Sequence, residues 1–125
     1  MEFFRTVNTD TTEQVLQTKL ALNHLDQISS ELFNLGEPEE GSVDIGGIWG
    51  EFTLTRNEIR GGVRFALVEC PNALCWTITT GYPPAPDATV IHLTINRTEK
   101  DAEFLEEVTE FLDDLSDNLS EYLPR

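Results

Sequence analysis

Seven carboxylates crowd the C-terminal part of the chain, and their spacing is its most pronounced chemical feature. Glu103, Glu106, Glu107, Glu110, Asp113, Asp114 and Asp117 recur at intervals of one, three and four residues. On a helix that spacing makes them neighbours on one broad face. Like charges so placed cost roughly a few tenths of a kcal/mol per pair, a cost that a basic partner, a bound cation or a salty medium would offset. Two chemistries follow. One is an electrostatic docking face for a basic protein surface, such as a nucleic-acid-binding protein presents. The other is divalent-metal or iron binding by the same carboxylates. Asp113-Asp114-x-x-Asp117 has neither the loop spacing nor the glycine of an EF-hand, so a cation held there is held weakly. Two bland explanations stand beside both: the face serves solubility, or a chain with only two lysines is adapted to salt.

Other reactive side chains form no recognisable machinery. Cys70 and Cys75 are the sole cysteines; with four residues between them they are neither a C-x-x-C redox pair nor a metal set. They close a disulfide only if they face each other across a turn. His24 and His92 sit in no metal-ligand spacing. Ser29, Ser30, His92 and Asp87 compose a nominal nucleophile, base and acid, but no nucleophile elbow accompanies them. The weak enzymatic alternative therefore centres on Cys75, His92 and the proline-rich loop after Gly81. Gly46-Gly47 and Gly61-Gly62 lack the lysine and hydroxyl residue of a phosphate loop. No motif calls for a cofactor. Arg56, Arg60, Arg64 and Arg97 suggest a basic hairpin tip opposite the acidic helix, and Tyr82 offers an aromatic anchor for a partner.

Composition narrows the classes further. The 125 residues carry a formal net charge of −15 at pH 7, which repels nucleic-acid phosphates and anionic lipid and attracts basic proteins. Direct nucleic-acid binding is not expected. No apolar run approaches a membrane span and the first residues lack a signal-peptide pattern, so the expectation is a cytoplasmic protein that does not meet a membrane. A homodimer is compatible with this composition.

The elements that must position these groups are read from periodicity. Residues 1–9 form a lead-in, either a loose tail or an edge segment. A capping box, Asp10 with Glu13 or Thr11 with Gln14, opens a helix over 12–35 whose stripe is Ala21, Leu25, Ile28, Leu32 and Leu35. The sheet occupies 43–96, with alternation from Trp49 to Thr55, Val63 to Glu69, Leu74 to Thr79 and Ala88 to Asn96. Val43 and Ile45 begin a strand that Gly46-Gly47 interrupts. Arg60-Gly61-Gly62-Val63 and Cys70-Pro71-Asn72-Ala73 read as turns. Thr98-Glu99-Lys100-Asp101 caps a final amphipathic helix over 100–122, striped by Phe104, Val108, Phe111, Leu115, Leu119 and Tyr122. The predicted fold is α+β: a two-layer sandwich of an N-terminal helix, a four-stranded antiparallel meander and a C-terminal helix, in a single domain. In order of elements alone this resembles frataxin-like sandwiches and small secretion chaperones.

The functional expectation is a small acidic, non-enzymatic protein-binding module, acting as an inhibitor, an immunity or anti-defence protein, or a chaperone. It would engage a basic partner surface through the seven carboxylates of the last helix, with Tyr82 as anchor.

Overall fold

The computed structural model describes residues 1–83, 86–96 and 102–124. Along the chain it has β1 (Glu2–Val7), α1 (Glu13–Lys19), a 3-10 turn (Leu22–His24), α2 (Leu25–Ile28), β2 (Phe33–Asn34), β3 (Ser42–Gly47) and β4 (Gly50–Ile59). Then come β5 (Gly62–Leu67), β6 (Cys75–Thr80), β7 (Thr89–Thr94) and α3 (Ala102–Tyr122). The strands join one seven-stranded sheet in the order β1-β7-β6-β5-β4-β3-β2, every pairing antiparallel. The four-stranded meander expected from the sequence is corrected accordingly.

Three differences account for the change. Residues 2–7 are a paired edge strand, running from Glu2 opposite Thr94 to Val7 opposite Thr89. Their alternation is masked because Arg5 occupies an inward position between Phe3 and Val7. Next, the single helix over 12–35 is replaced by two short helices and a strand. The backbone leaves helical geometry at Leu20, is extended at Ala21, and is extended again at Ser29. Both breaks have a chemical cause. Arg56 reaches from β4 to the carbonyls of Gln17 and Leu20, which takes acceptors a continuing helix would use. The hydroxyl of Ser29 accepts the amides of Glu31 and Leu32, the local competition by which serine ends helices. Finally, Gly46 and Gly47 lie within β3 rather than interrupting it. Phe33 of β2 sits opposite Gly46, its ring where a side chain would be.

Caps and turns obey similar local chemistry. The cap of α1 is Thr12, whose hydroxyl accepts the Val15 amide; Glu13 instead accepts the amide of Gly61 across the molecule. Gly61 alone supplies the positive φ of the β4–β5 turn, at +89°, and Gly62 already belongs to the strand. Cys70-Pro71-Asn72-Ala73 does close a turn, the Ala73 amide donating to the Cys70 carbonyl at 3.0 Å. The expected helix cap at residues 98–101 lies outside the described residues, as does Arg97.

One face of the sheet is dry. Leu54, Val63, Phe65, Leu67, Trp76, Ile78, Ile91 and Leu93 are buried there beneath the helices. The other face carries Thr53, Thr55, Thr77, Thr79 and Thr94, all half-buried. From α3 come Val108, Phe111, Leu112, Leu115 and Leu119, all buried, at the three- and four-residue steps of one helix stripe. Among the described residues, no helix is long and apolar enough to cross a membrane.

Candidate protein-interaction face

Burying the apolar stripe of α3 turns its remaining surface to solvent, and there the carboxylates separate into two groups. Glu103, Glu106, Glu110 and Asp117 are exposed and Glu107 is half-buried; none of the five has a hydrogen bond or ion pair among the described residues. Glu121, outside the expected set, is exposed as well. The other two acids are committed to the fold. Asp113 is bridged by Arg5 of β1, Nε to Oδ1 at 3.2 Å. Asp114 accepts the Ser29 hydroxyl at 2.6 Å, the Ser30 amide at 3.1 Å and the Asn118 side-chain amide at 2.9 Å. Asp114 thus fastens the α2–β2 connection to α3, and its role is structural.

Glu31, on that connection, carries the acidic surface beyond α3. Burial holds its carboxyl above the usual carboxylate range, and the charges of Asp114 and Glu110 push it further the same way. Its Oε2 is buried with no hydrogen-bond partner among the described residues. The folded state therefore binds the Glu31 proton more tightly than the unfolded chain does. That contribution to stability is full below the unfolded value of 4.5 and is lost as pH rises through the raised folded one. Replacing Glu31 by glutamine should accordingly raise the denaturation midpoint at pH 7, with the advantage gone at about pH 4, where the wild-type carboxyl is largely protonated. An equal gain at both pH values would show that charge is not the cause. Glu69 has the opposite slope: the Thr53 amide and hydroxyl donate to its carboxylate and lower its pKa.

Both ends of α3 are tied down. At the C-terminal end the missing cation is borrowed from α1. Lys19 Nζ lies 3.4 Å from the Tyr122 carbonyl and 4.8 Å from the centre of its ring, where a positive charge complements the helix dipole. The Tyr122 hydroxyl donates back to the Lys19 carbonyl at 2.9 Å, with His24 Nδ1 at 3.1 Å from both oxygens. His24 is thereby part of a clasp between helices. Near the other end, Trp49 packs on Phe104 and Phe111.

The remaining sequence candidates are not brought to this face. Tyr82 lies at the β4–β5 turn, its hydroxyl donating to the Arg60 carbonyl and its ring packed on Gly61; the aromatic anchor is not beside the carboxylates. Arg56 is engaged with α1, which leaves Arg60 exposed and Arg64 half-buried as the described remnant of the basic tip. Cys70 and Cys75 are free thiols, and Cys75 Sγ sits 3.1 Å from the Thr94 hydroxyl. His92 lies on the same face as Cys75 but opposite Thr77; its ring stacks on Phe4 at 4.3 Å and its Nε2 meets Glu2 at 2.9 Å. Ser29 and Ser30 are bound to Asp114, so the nominal nucleophile set does not assemble. Among the described residues, no three of His, Cys, Asp and Glu converge to hold a metal ion.

A second acidic zone lies outside the expected set. Residues 20–55 contain Asp26, Glu31, Glu37, Glu39, Glu40, Asp44 and Glu51 and not one lysine or arginine. Within that zone Phe33 and Leu35 are 58% and 49% exposed. The gap in basic residues is visible in the sequence, but a long helix over 12–35 would disperse half of it around a cylinder.

No family model matches the chain, and no curated protein matches it. Among solved structures it is similar to a START superfamily protein from Mycobacterium smegmatis. The TM-score is 0.60 at 12% identity, over 98% of this chain and 96% of that one. The fold is START-like: a seven-stranded antiparallel sheet with a C-terminal helix across one face.

Proposed function

We propose that this chain is a small acidic protein-binding module, without catalytic chemistry of its own, that masks or escorts a partner by engaging its basic surface. The contact is made by Glu103, Glu106, Glu110 and Asp117 of α3, with Glu121 at its end. One observation carries the reading: these carboxylates are exposed and unpaired among the described residues, while the two acids the fold needs are satisfied by Arg5 and by Ser29 and Ser30. Unpaired like charges at helical spacing repel one another, and a basic surface relieves that repulsion while steering the encounter. Proteins that bind nucleic acid present such surfaces.

The test is a triple reversal, E106K/E110K/D117K, which spares Asp113 and Asp114. Affinity capture from host lysate at about 0.1 M salt, repeated at about 0.5 M where surface charge is strongly screened, identifies a stoichiometric partner that salt releases. Against that purified partner the variant is expected to bind ~100-fold more weakly, the loss of rim electrostatics being felt mainly in association. Its melting temperature should stay at or above the wild-type value. Undiminished affinity would remove this face from the interaction.

A further inference from the structure

Resting on that reading, we infer that the partner also contributes an extended segment of alternating basic and apolar residues, which adds to the open edge of β2 as a further strand. The sheet ends at β2. Phe33 and Asn34 stand opposite Gly46 and Ile45, and the Leu35 amide donates to the Asp44 carbonyl at 2.8 Å. In an antiparallel ladder the residues that bond the neighbouring strand alternate with those that face away. Phe33 and Leu35 face β3, so the main-chain N–H and C=O of Asn34 point off the sheet. Asn34 borders a groove walled by Asn23, Asp26, Ser30 and Phe33, and its side chain is held by the Leu22 carbonyl at 3.1 Å.

Natural sheets commonly protect such an edge with lysine or another charge aimed outward. Here the edge bears Phe33 and Leu35 instead, both exposed, and Phe33 is held in place over the bare backbone of Gly46. Adjacent exposed apolar side chains on a sheet edge mark a contact site. The two sides of the groove differ in chemistry. Phe33 lies on the outer side, with Leu35 exposed next to it on the same strand face; Asp26 of α2 lies on the helical side. Successive side chains of an added strand point to opposite sides. An occupant that satisfies both therefore alternates apolar with basic, and its main chain satisfies Asn34. Because Ser29 and Ser30 of the groove wall are bonded to Asp114 of α3, the groove adjoins the acidic helix and one basic partner covers both.

A defined probe tests this without knowing the partner: a peptide of about eight residues, an ordinary strand length, alternating lysine and valine. Binding is followed by amide chemical shifts of the labelled protein. The expected result is saturable binding with shifts concentrated at residues 32–36 and 44–46. A peptide of the same composition with its lysines and valines in two blocks, and an alternating peptide N-methylated on one edge, should each bind about tenfold more weakly, since register and main-chain donors are then lost. The exposed variant F33S/L35S should lose a similar factor while keeping its fold. Equal binding of the blocked peptide, or shifts confined to α3, would overturn the edge-strand mode and leave the acidic-face reading standing. Failure of every basic peptide at low salt would overturn both. Concentration-dependent shifts at 32–36 in the protein alone would assign the edge to a second copy and overturn the proposal.

Discussion

Alanine at Gly62 is expected to unfold the chain, or nearly so, at ordinary temperature. A Cβ built on Gly62 would overlap the Ile78 carbonyl oxygen and lie 3.0 Å and 3.1 Å from the Ile78 carbonyl carbon and the Thr79 Cα. All three are backbone atoms of β6, the strand that pairs Gly62 with Thr79. A side chain in the way could rotate; a carbonyl held in a ladder cannot. The same spot anchors α1, whose Gln17 side-chain amide donates to the carbonyls of Ile59 and Gly62 at 3.0 Å and 3.2 Å. Moving β5 away from β6 would therefore also pull α1 from the sheet. Over-packing costs about 1–3 kcal/mol when side chains can adjust, so a loss above ~3 kcal/mol is expected here, a large part of the roughly 5–15 kcal/mol a domain possesses. Gly36 is the control, because nothing lies within 4 Å of its position and its φ is ordinary. G36A should leave stability within about 0.5 kcal/mol of wild type. Urea denaturation of both variants decides the matter, and coincident midpoints would refute the close approach at Gly62.

That glycine illustrates what the sequence shows and what it conceals. Gly61-Gly62 marks a turn in any reading, because two glycines between alternating strands suit a tight reversal. Which glycine serves the turn and which serves the close approach depends on a neighbouring strand, and no local pattern reports that. The alternation of Phe65 with Leu67 and of Trp76 with Ile78 is equally local, and those strands are legible. β1 and β2 are not. β1 places Arg5 inward because Asp113 waits on α3, a partner 108 residues away. β2 is two residues long and sits in a run whose leucines and isoleucine also fit a helix. The run is diverted by Arg56 and Asp114, which act from β4 and α3, so tertiary contacts override a periodicity that is genuinely present.

The candidate face divides along the same line. That α3 is amphipathic with a carboxylate back follows from spacing alone. That Asp114 is structural while Asp117 has no partner among the described residues follows from where Ser29 and Ser30 come to rest, and only a sheet ending at β2 brings them there. Tyr82 reads as an aromatic offered to solvent by a proline-rich loop, yet its ring closes over Gly61 of the β4–β5 turn. The carboxylates are legible as a group, and their division of labour is not.

The second large effect is expected at Phe111, the residue through which α3 holds the sheet. Its ring is fully buried and meets two indoles edge-to-face, Trp76 at 5.1 Å and 78° and Trp49 at 5.4 Å and 71°. Trp76 in turn stacks on Phe65 at 5.5 Å. Phe111→Ala removes the centre of this chain of rings, and a loss of about 3–5 kcal/mol is expected, comparable with that at Gly62. Phe111→Leu separates volume from aromaticity. The indole N–H groups of Trp49 and Trp76 are buried without a hydrogen-bond partner among the described residues, and an aromatic face is a weak acceptor for such a donor. Leucine keeps the apolar bulk and removes the aromatic face; where that face offsets the two donors, F111L should cost more than the ~1.5 kcal/mol that bounds an ordinary conservative swap. A cost below that bound would mean that the Phe111 ring is not what offsets the two donors. Tryptophan emission follows both variants, since Trp49 and Trp76 are the only indoles in the chain and Trp76 is 1% exposed. Loosening around α3 should shift the emission to the red before global unfolding. The same helix carries the unpaired carboxylates on its other side, so F111A should lose stability and partner binding together, whereas E106K/E110K/D117K should lose binding with stability intact. If the two variants behaved alike, the acidic face would be acting through the fold rather than through contact with a partner.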